Sequence, residues 1–404
     1  MTDVHLRSRL ASFVRPLTGD GRGWVLVLVA LGWFLTLGMR YLVPAVLPQI
    51  KATFGVNNVT AGLAVTVLWA SYALMQFPAG VLIDRVGERR LLTVSLAAAS
   101  LSLVVVAVSP TFLVFLAGAA LFGFATGLFG PPRGTVLART FPANDGAAFG
   151  LTLAGGSVGS ALLPLLAGVL VGPLGWRPTV ALAIPGFVAV AAGTWVVVSE
   201  RETNAESAHV GERVRAIRAA IERRAVVVPV AAITLLLFVL EGLTAFLPTY
   251  LIEVKGLSQS LAAGLFALFF VGGAISQFGA GHLADRYGDR VVLLAVTAFS
   301  VLPLLALPFV SALLPLAVLV VLMGVRLGVA PISNAYVIAV LPAEVQGTAW
   351  GLLRTGFFVL GSTGSVLVGS FADRGRFGVA FLALAALTAV AAGLYVFLPD
   401  RRTA

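Results

Sequence analysis

The sequence predicts an all-α polytopic membrane protein of twelve transmembrane helices, arranged as two six-helix bundles related by pseudo-twofold symmetry. Three observations carry this expectation: the composition, the spacing of the apolar runs and an internal repeat. Apolar residues make up 59% of the 404 positions and charged residues 11%, against roughly 45–50% and about 25% in soluble proteins. A soluble fold of that composition would expose large apolar patches. The same composition narrows the chemistry. With no cysteine there are no disulfides, thiolate metal sites, iron–sulfur clusters or cysteine nucleophiles. His5, His209 and His282 have no acidic or histidine partner at helical ligand spacing, so no metal is expected. Lys51 and Lys255 lack the glycine-rich context of a phosphate-binding loop, which argues against a nucleotide-driven pump. No ligand cluster or nucleophile–base pair suggests an enzyme or a cofactor. The net charge of +10 is spread between apolar runs, so nucleic acid is not an expected partner.

A helix crosses the hydrocarbon core with about 20 apolar residues. Runs bounded by charges, Pro or Gly fall near 24–48, 60–83, 91–108, 111–137, 146–171, 177–198, 226–251, 260–284, 291–308, 312–340, 346–371 and 377–398. The first follows a tail carrying Arg7, Arg9, Arg15 and Arg22. It is too long for a signal-peptide core and lacks a small-residue cleavage pattern, so it reads as a retained span. The expected division is a tail over 1–23, a bundle over 24–198, a linker over 199–225, a second bundle over 226–398 and a tail over 399–404. In the linker, charges around Val214, Ile217 and Ile221 suit an amphipathic surface helix or a solvated connection. Placing both termini in the cytoplasm puts 18 of the 27 basic residues in inner segments and five in outer ones. This is the asymmetry expected of a multi-pass protein of the cytoplasmic membrane.

The repeat joins the two halves. Gln76 to Arg89 recurs as Gln277 to Arg290 at an offset of 201 residues, each copy closing the second span of its half. Six spans per half preserve orientation, so the halves are parallel repeats about an axis normal to the membrane, an arrangement that places a binding site near the midplane. With Gly80, Leu82, Asp84, Arg85, Gly87, Arg89 and Arg90 in the first copy, and Gly281, Leu283, Ala284, Asp285, Arg286, Gly288 and Arg290 in the second, the chain resembles the major facilitator superfamily. Glu88 and Asp289 stand where that signature has a base. The resemblance covers the whole chain and implies secondary active transport by alternating access, usually as a monomer. It also implies a gating role for the repeated turn, with Asp84 facing the start of span 11 near Val345. An Asp there can meet the positive end of a helix.

Ionisable groups inside the hydrocarbon cost about 2.5–3.5 kcal/mol each on insertion scales and so mark function. Arg40, Glu241, Arg326 and Arg354 lie in spans 1, 7, 10 and 11, which by resemblance line or flank the central cavity. They are expected to converge at one depth. Arg40, Arg326 and Arg354 are the expected substrate-binding residues, and Glu241 is a proton carrier or a counter-ion. The offset between Arg40 and Glu241 is again 201 residues, which suggests a salt bridge across the cavity. Arg133, near the end of span 4, reads more readily as a snorkelling side chain. Surplus guanidinium favours carboxylate or phosphate, so the expected cargo is a small organic anion, with a proton or other ion coupled to it. The alternative is a proton-coupled efflux pump for hydrophobic or cationic compounds. Gly150, Gly155, Gly156, Gly159 and Pro164 partly match the span-5 signature of drug antiporters, with Ser160 where a Pro is usual.

Overall fold

The computed structural model describes residues 21–200, 221, 223–343 and 345–399. The expected linker helix lies outside these residues. Among the described residues, twelve helices are long and apolar enough to cross a membrane: α1 Arg22–Ala45, α2 Asn58–Val86, α3 Glu88–Ala107, α4 Phe112–Thr140, α5 Asp145–Leu174, α6 Trp176–Val197, α7 Arg224–Glu253, α8 Gln259–Tyr287, α9 Asp289–Phe309, α10 Leu313–Val340, α11 Gln346–Ala372 and α12 Phe377–Val396. No strand occurs among the described residues. In hydrocarbon every backbone N–H and C=O must be satisfied within the segment, so helices are the expected solution.

The repeat is visible in the backbone. Asn57 caps α2 by accepting from the Thr60 N–H at 2.9 Å, and Ser258 caps α8 by accepting from the Leu261 N–H at 3.4 Å. At the other ends of these helices, Gly87 has φ 85 and Gly288 has φ 86. That left-handed backbone favours glycine and turns the chain at once into α3 and α9. Both second spans are thus started and stopped by equivalent residues.

The end holding the Gly87 and Gly288 turns is called the basic end here. Helices α4, α6, α9, α10 and α11 are interrupted along their length. In α10 the interruption is a 3-10 stretch, Val325–Gly328.

Packing differs between the two ends. One buried cluster runs through both halves, joining Tyr41, Leu47 and Trp69 to Phe246, Phe266 and Phe381. A second belongs wholly to the C-terminal half at the basic end and includes Tyr336, Val345 and Tyr395. Large apolar side chains on the outside, such as Leu113, Val196, Leu302 and Leu314, face what is lipid for a membrane protein.

Candidate functional site

The two halves close on each other at the end opposite the basic one. Lys51 bridges Glu253 at 2.9 Å. Gln49 donates to Gln259 at 2.9 Å, and Gln259 donates to the Ala45 carbonyl at 2.7 Å. Asp373, at the C-terminal end of α11, accepts from the backbone N–H groups of Asn58 and Val59 at 2.7 and 2.9 Å. It thereby caps α2 from the other half. Farther in, Ser365 donates to the Gly62 carbonyl at 2.9 Å. A Cβ at Gly62 would lie 2.7 Å from the Ser365 carbonyl oxygen, so glycine permits this close crossing. Small residues commonly serve this purpose between membrane helices.

Contacts thin toward the basic end. Thr355 donates to the Ala73 carbonyl at 3.3 Å, and beyond it α2 and α11 separate around a cavity of about 650 Å³. Its walls include Gln76 and Asp84 of α2, Arg133 of α4, Phe149 of α5, and Gly347 and Arg354 of α11. A second gap of about 790 Å³ lies between α5 and α8 and is lined almost entirely by apolar side chains, among them Leu153, Leu162, Phe270 and Phe278.

The charged residues gather around the first cavity through aromatic rings. The Arg133 guanidinium lies 3.9 Å from the centre of the Trp33 ring, and that of Arg40 lies 5.2 Å from the same ring. Arg40 is also 4.8 Å from Trp69 and 4.0 Å from Tyr72. Tyr72 meets Phe358 edge-on at 5.9 Å, and Phe358 lies 5.6 Å from the Arg354 guanidinium. Rings therefore connect the three cations in an unbroken series from Arg133 to Arg354, and both ends of the series line the cavity.

Arg40 itself is only 1% exposed. Its Nε donates to the Thr36 carbonyl at 3.1 Å, while neither terminal nitrogen has a hydrogen-bond partner.

Two expectations are corrected. Arg40 and Glu241 form no ion pair: the Arg40 guanidinium is turned into rings of its own half, and both Glu241 carboxylate oxygens are buried without a partner. Nor do the four charges converge. Of the four only Arg354 lines a cavity; Arg40 and Glu241 are buried behind it, and Arg326 sits apart on the 3-10 stretch of α10. Neighbouring Gly324 and Gly328 seat α10 tightly on α8, which keeps Arg326 within the C-terminal half. In its place the structure brings Arg133 to Arg40 and Arg354.

The glycine series of α5 has a packing role. A Cβ at Gly156 would fall 2.3 Å from the Trp33 indole, so this glycine makes room for the ring between the two arginines.

The repeated turn is held differently in its two parts. Glu88, 1% exposed, pairs with Arg139 at 3.3 Å. Arg89 and Arg90 share Glu200 at 3.3 and 2.8 Å. These contacts tie the turn to α4 and to the exit of α6. Asp84 instead faces the cavity together with Gly347 and Thr348 of the first turn of α11, and no hydrogen bond joins them in this conformation. Asp285, its counterpart, is exposed. Asp373 and the ring residues Trp33, Trp69 and Phe358 had not been singled out in the sequence. The spacing of Trp33 and Arg40 by seven residues, two helical turns, was the available signal.

Two bundles of six helices related by a repeat, closed at one end and parted around a charged cavity at the other, define a membrane transporter of the alternating-access kind. The chain belongs to the Major Facilitator Superfamily, whose pattern matches residues 29–273 and 262–404. It is 24% identical over 381 residues to the uncharacterized MFS-type transporter YfnC of Bacillus subtilis, covering 93% of this chain and 92% of the relative. It is 26% identical over 392 residues to the fosmidomycin resistance protein of Escherichia coli, covering 94% and 93%. The multidrug resistance protein MdtG of Yersinia enterocolitica is 28% identical over 304 residues, 73% of each chain. Among solved structures, a bacterial homologue of the human lysosomal transporter Spinster, inward-facing and unoccupied, superposes with a TM-score of 0.81 at 17% identity, covering 96% of this chain and 98% of that one.

Proposed function

We propose that this transporter carries a small organic anion across the cytoplasmic membrane by rocking its two halves about a site containing Arg40, Arg133 and Arg354. The observation that carries the proposal is the set of buried guanidinium nitrogens on these residues that have no partner beside an open cavity. A buried cation without a counter-charge is costly, and an anionic cargo supplies one. The charge asymmetry of the loops puts the basic end in the cytoplasm, so the conformation described is open to the inside. Glu241, buried in the middle of α7, is the group placed to carry a coupling proton or to balance Arg40.

A second reading, efflux of hydrophobic compounds, is favoured by the apolar gap between α5 and α8 and by two relatives named for resistance. Purified protein screened by thermal shift against carboxylates, organophosphates, sugars and lipophilic cations separates the two. Stabilisation by anions that is lost in Arg354→Gln supports the anion site. Stabilisation by lipophilic cations alone, unchanged in Arg354→Gln, overturns it in favour of efflux.

A further inference from the structure

Rings, and no carboxylate, hold the arginines of this site. Among the described residues, no Asp or Glu forms an ion pair with Arg40, Arg133 or Arg354; the four ion pairs found all lie elsewhere. The unpartnered buried atoms around the site are Arg40 Nη1 and Nη2, Arg133 Nε and Nη1, Arg354 Nε and the Trp69 indole nitrogen. All of them are donors, and the unpartnered acceptors nearby are the two Glu241 carboxylate oxygens, which make no ion pair with these arginines. A guanidinium resting on an aromatic face is stabilised by about 0.5–2 kcal/mol, yet its charge is not cancelled as a carboxylate would cancel it.

Trp33 has a particular place in this arrangement. It is 7% exposed, Gly156 of α5 leaves room for it, and it touches two guanidinium groups at once. It therefore fixes the spacing of Arg40 on α1 and Arg133 on α4. Three arginines against the buried Glu241 and the Asp84 carboxylate on the same cavity wall still leave surplus positive charge.

Resting on the anion-transport reading, we infer that Trp33 and Tyr72 are the positioning residues of an oxyanion clamp whose preferred cargo carries a doubly charged headgroup, such as a phosphonate or a phosphate monoester. A second charge adds Coulomb attraction in a site shielded from water. The three terminal oxygens of such a group also accept more of the free donors than a carboxylate can. The rings hold the guanidinium groups in place, and Arg133 and Arg354 already line the cavity, so little reordering of these two is needed when the anion arrives.

The test uses the purified full chain and two probes of matched shape, phenylphosphonate and benzenesulfonate, at mildly alkaline pH where only the first is doubly charged. Wild type should bind phenylphosphonate about tenfold or more tighter. Trp33→Leu should lose about tenfold in phosphonate affinity and most of the selectivity, and Trp33→Phe should restore part of both. Tyr72→Phe, which keeps the ring, should resemble wild type, whereas Tyr72→Leu should not. If Trp33→Leu does not fold, Gly156→Ala, which displaces the indole, should show the same loss of selectivity.

Equal binding of the two probes by wild type overturns the dianion preference while leaving anion transport standing. Unchanged affinity and selectivity in Trp33→Leu, or in Gly156→Ala where that replaces it, overturns the positioning role. Binding of neither probe, with Arg354→Gln indistinguishable from wild type, removes the anion reading itself.

Discussion

Asp373 offers the most direct handle on the conformational equilibrium. Its carboxylate accepts two backbone N–H groups from the start of α2 at 2.7 and 2.9 Å, a contact available only while the two halves are closed at that end. Hydrogen bonds to a charged group contribute about 1.5–3 kcal/mol each, and an anion at a helix N-terminus about 0.3–1 kcal/mol. Asp373 is exposed, so water screens much of this. A net loss of about 2 kcal/mol is reasonable for Asp373→Ala and about 1 kcal/mol for Asp373→Asn, which keeps an acceptor but no charge. Those values move the equilibrium toward opening at that end by roughly thirtyfold and fivefold. The chain has no cysteine, so spin labels at Ala52→Cys and Val254→Cys report on that end without background. In detergent or nanodiscs, the long-distance fraction between the labels should rise in the order wild type, Asn, Ala. A distance distribution unchanged in Asp373→Ala would refute the reasoning.

Two further outcomes follow from the same geometry. Asp84→Asn and Asp285→Asn should slow transport in proteoliposomes while leaving melting temperature nearly unchanged, because these carboxylates lie at the basic end and make no ion pair with the arginines; transport rates equal to wild type in both variants at matched reconstitution would remove their gating role. Because the Arg40 guanidinium rests on rings and makes no ion pair with Glu241, although the two buried charges still act on each other, the coupling of Arg40→Gln and Glu241→Gln in a thermal double-mutant cycle should stay at the low end of about 0.5–3 kcal/mol, and a coupling at the high end would restore the salt bridge.

The spans were legible because hydrocarbon imposes a length that apolar runs must meet. The second run, read as 60–83, is the helix Asn58–Val86, and the difference lies in polar caps that hydrophobicity does not register. The repeat was legible because Asp-Arg-x-Gly recurs in register, and its turns share one backbone geometry at Gly87 and Gly288. The site was less so. Apolar composition fixes depth but says little about which face of a helix meets which neighbour. Arg133 therefore read as a snorkelling side chain, although it rests on Trp33 at the cavity wall, and Arg326 read as a cavity residue, although its 3-10 stretch keeps it apart. The equal offsets of Arg40 and Glu241 marked their symmetry correctly. Symmetry does not choose a rotamer, and three rings in the same half took the guanidinium. Asp373 carried no signal at all, since an acidic residue in a short loop ordinarily faces solvent.

Helices α2 and α11 run antiparallel across the interface, so the C-terminal end of each carries an aspartate near the N-terminal end of the other. Asp373 caps α2 at one end of the molecule, while Asp84 faces the unoccupied start of α11 at the other. A conformation parted at both ends would leave both helix starts uncapped by the opposite half and both carboxylates to water alone. That doubly open form is the one through which solutes and ions would run down their gradients. If Asp84 caps α11 when that end closes, the cost of a leak falls on two helix starts, and tightness of the barrier becomes a property of the helix pair as well as of the substrate site.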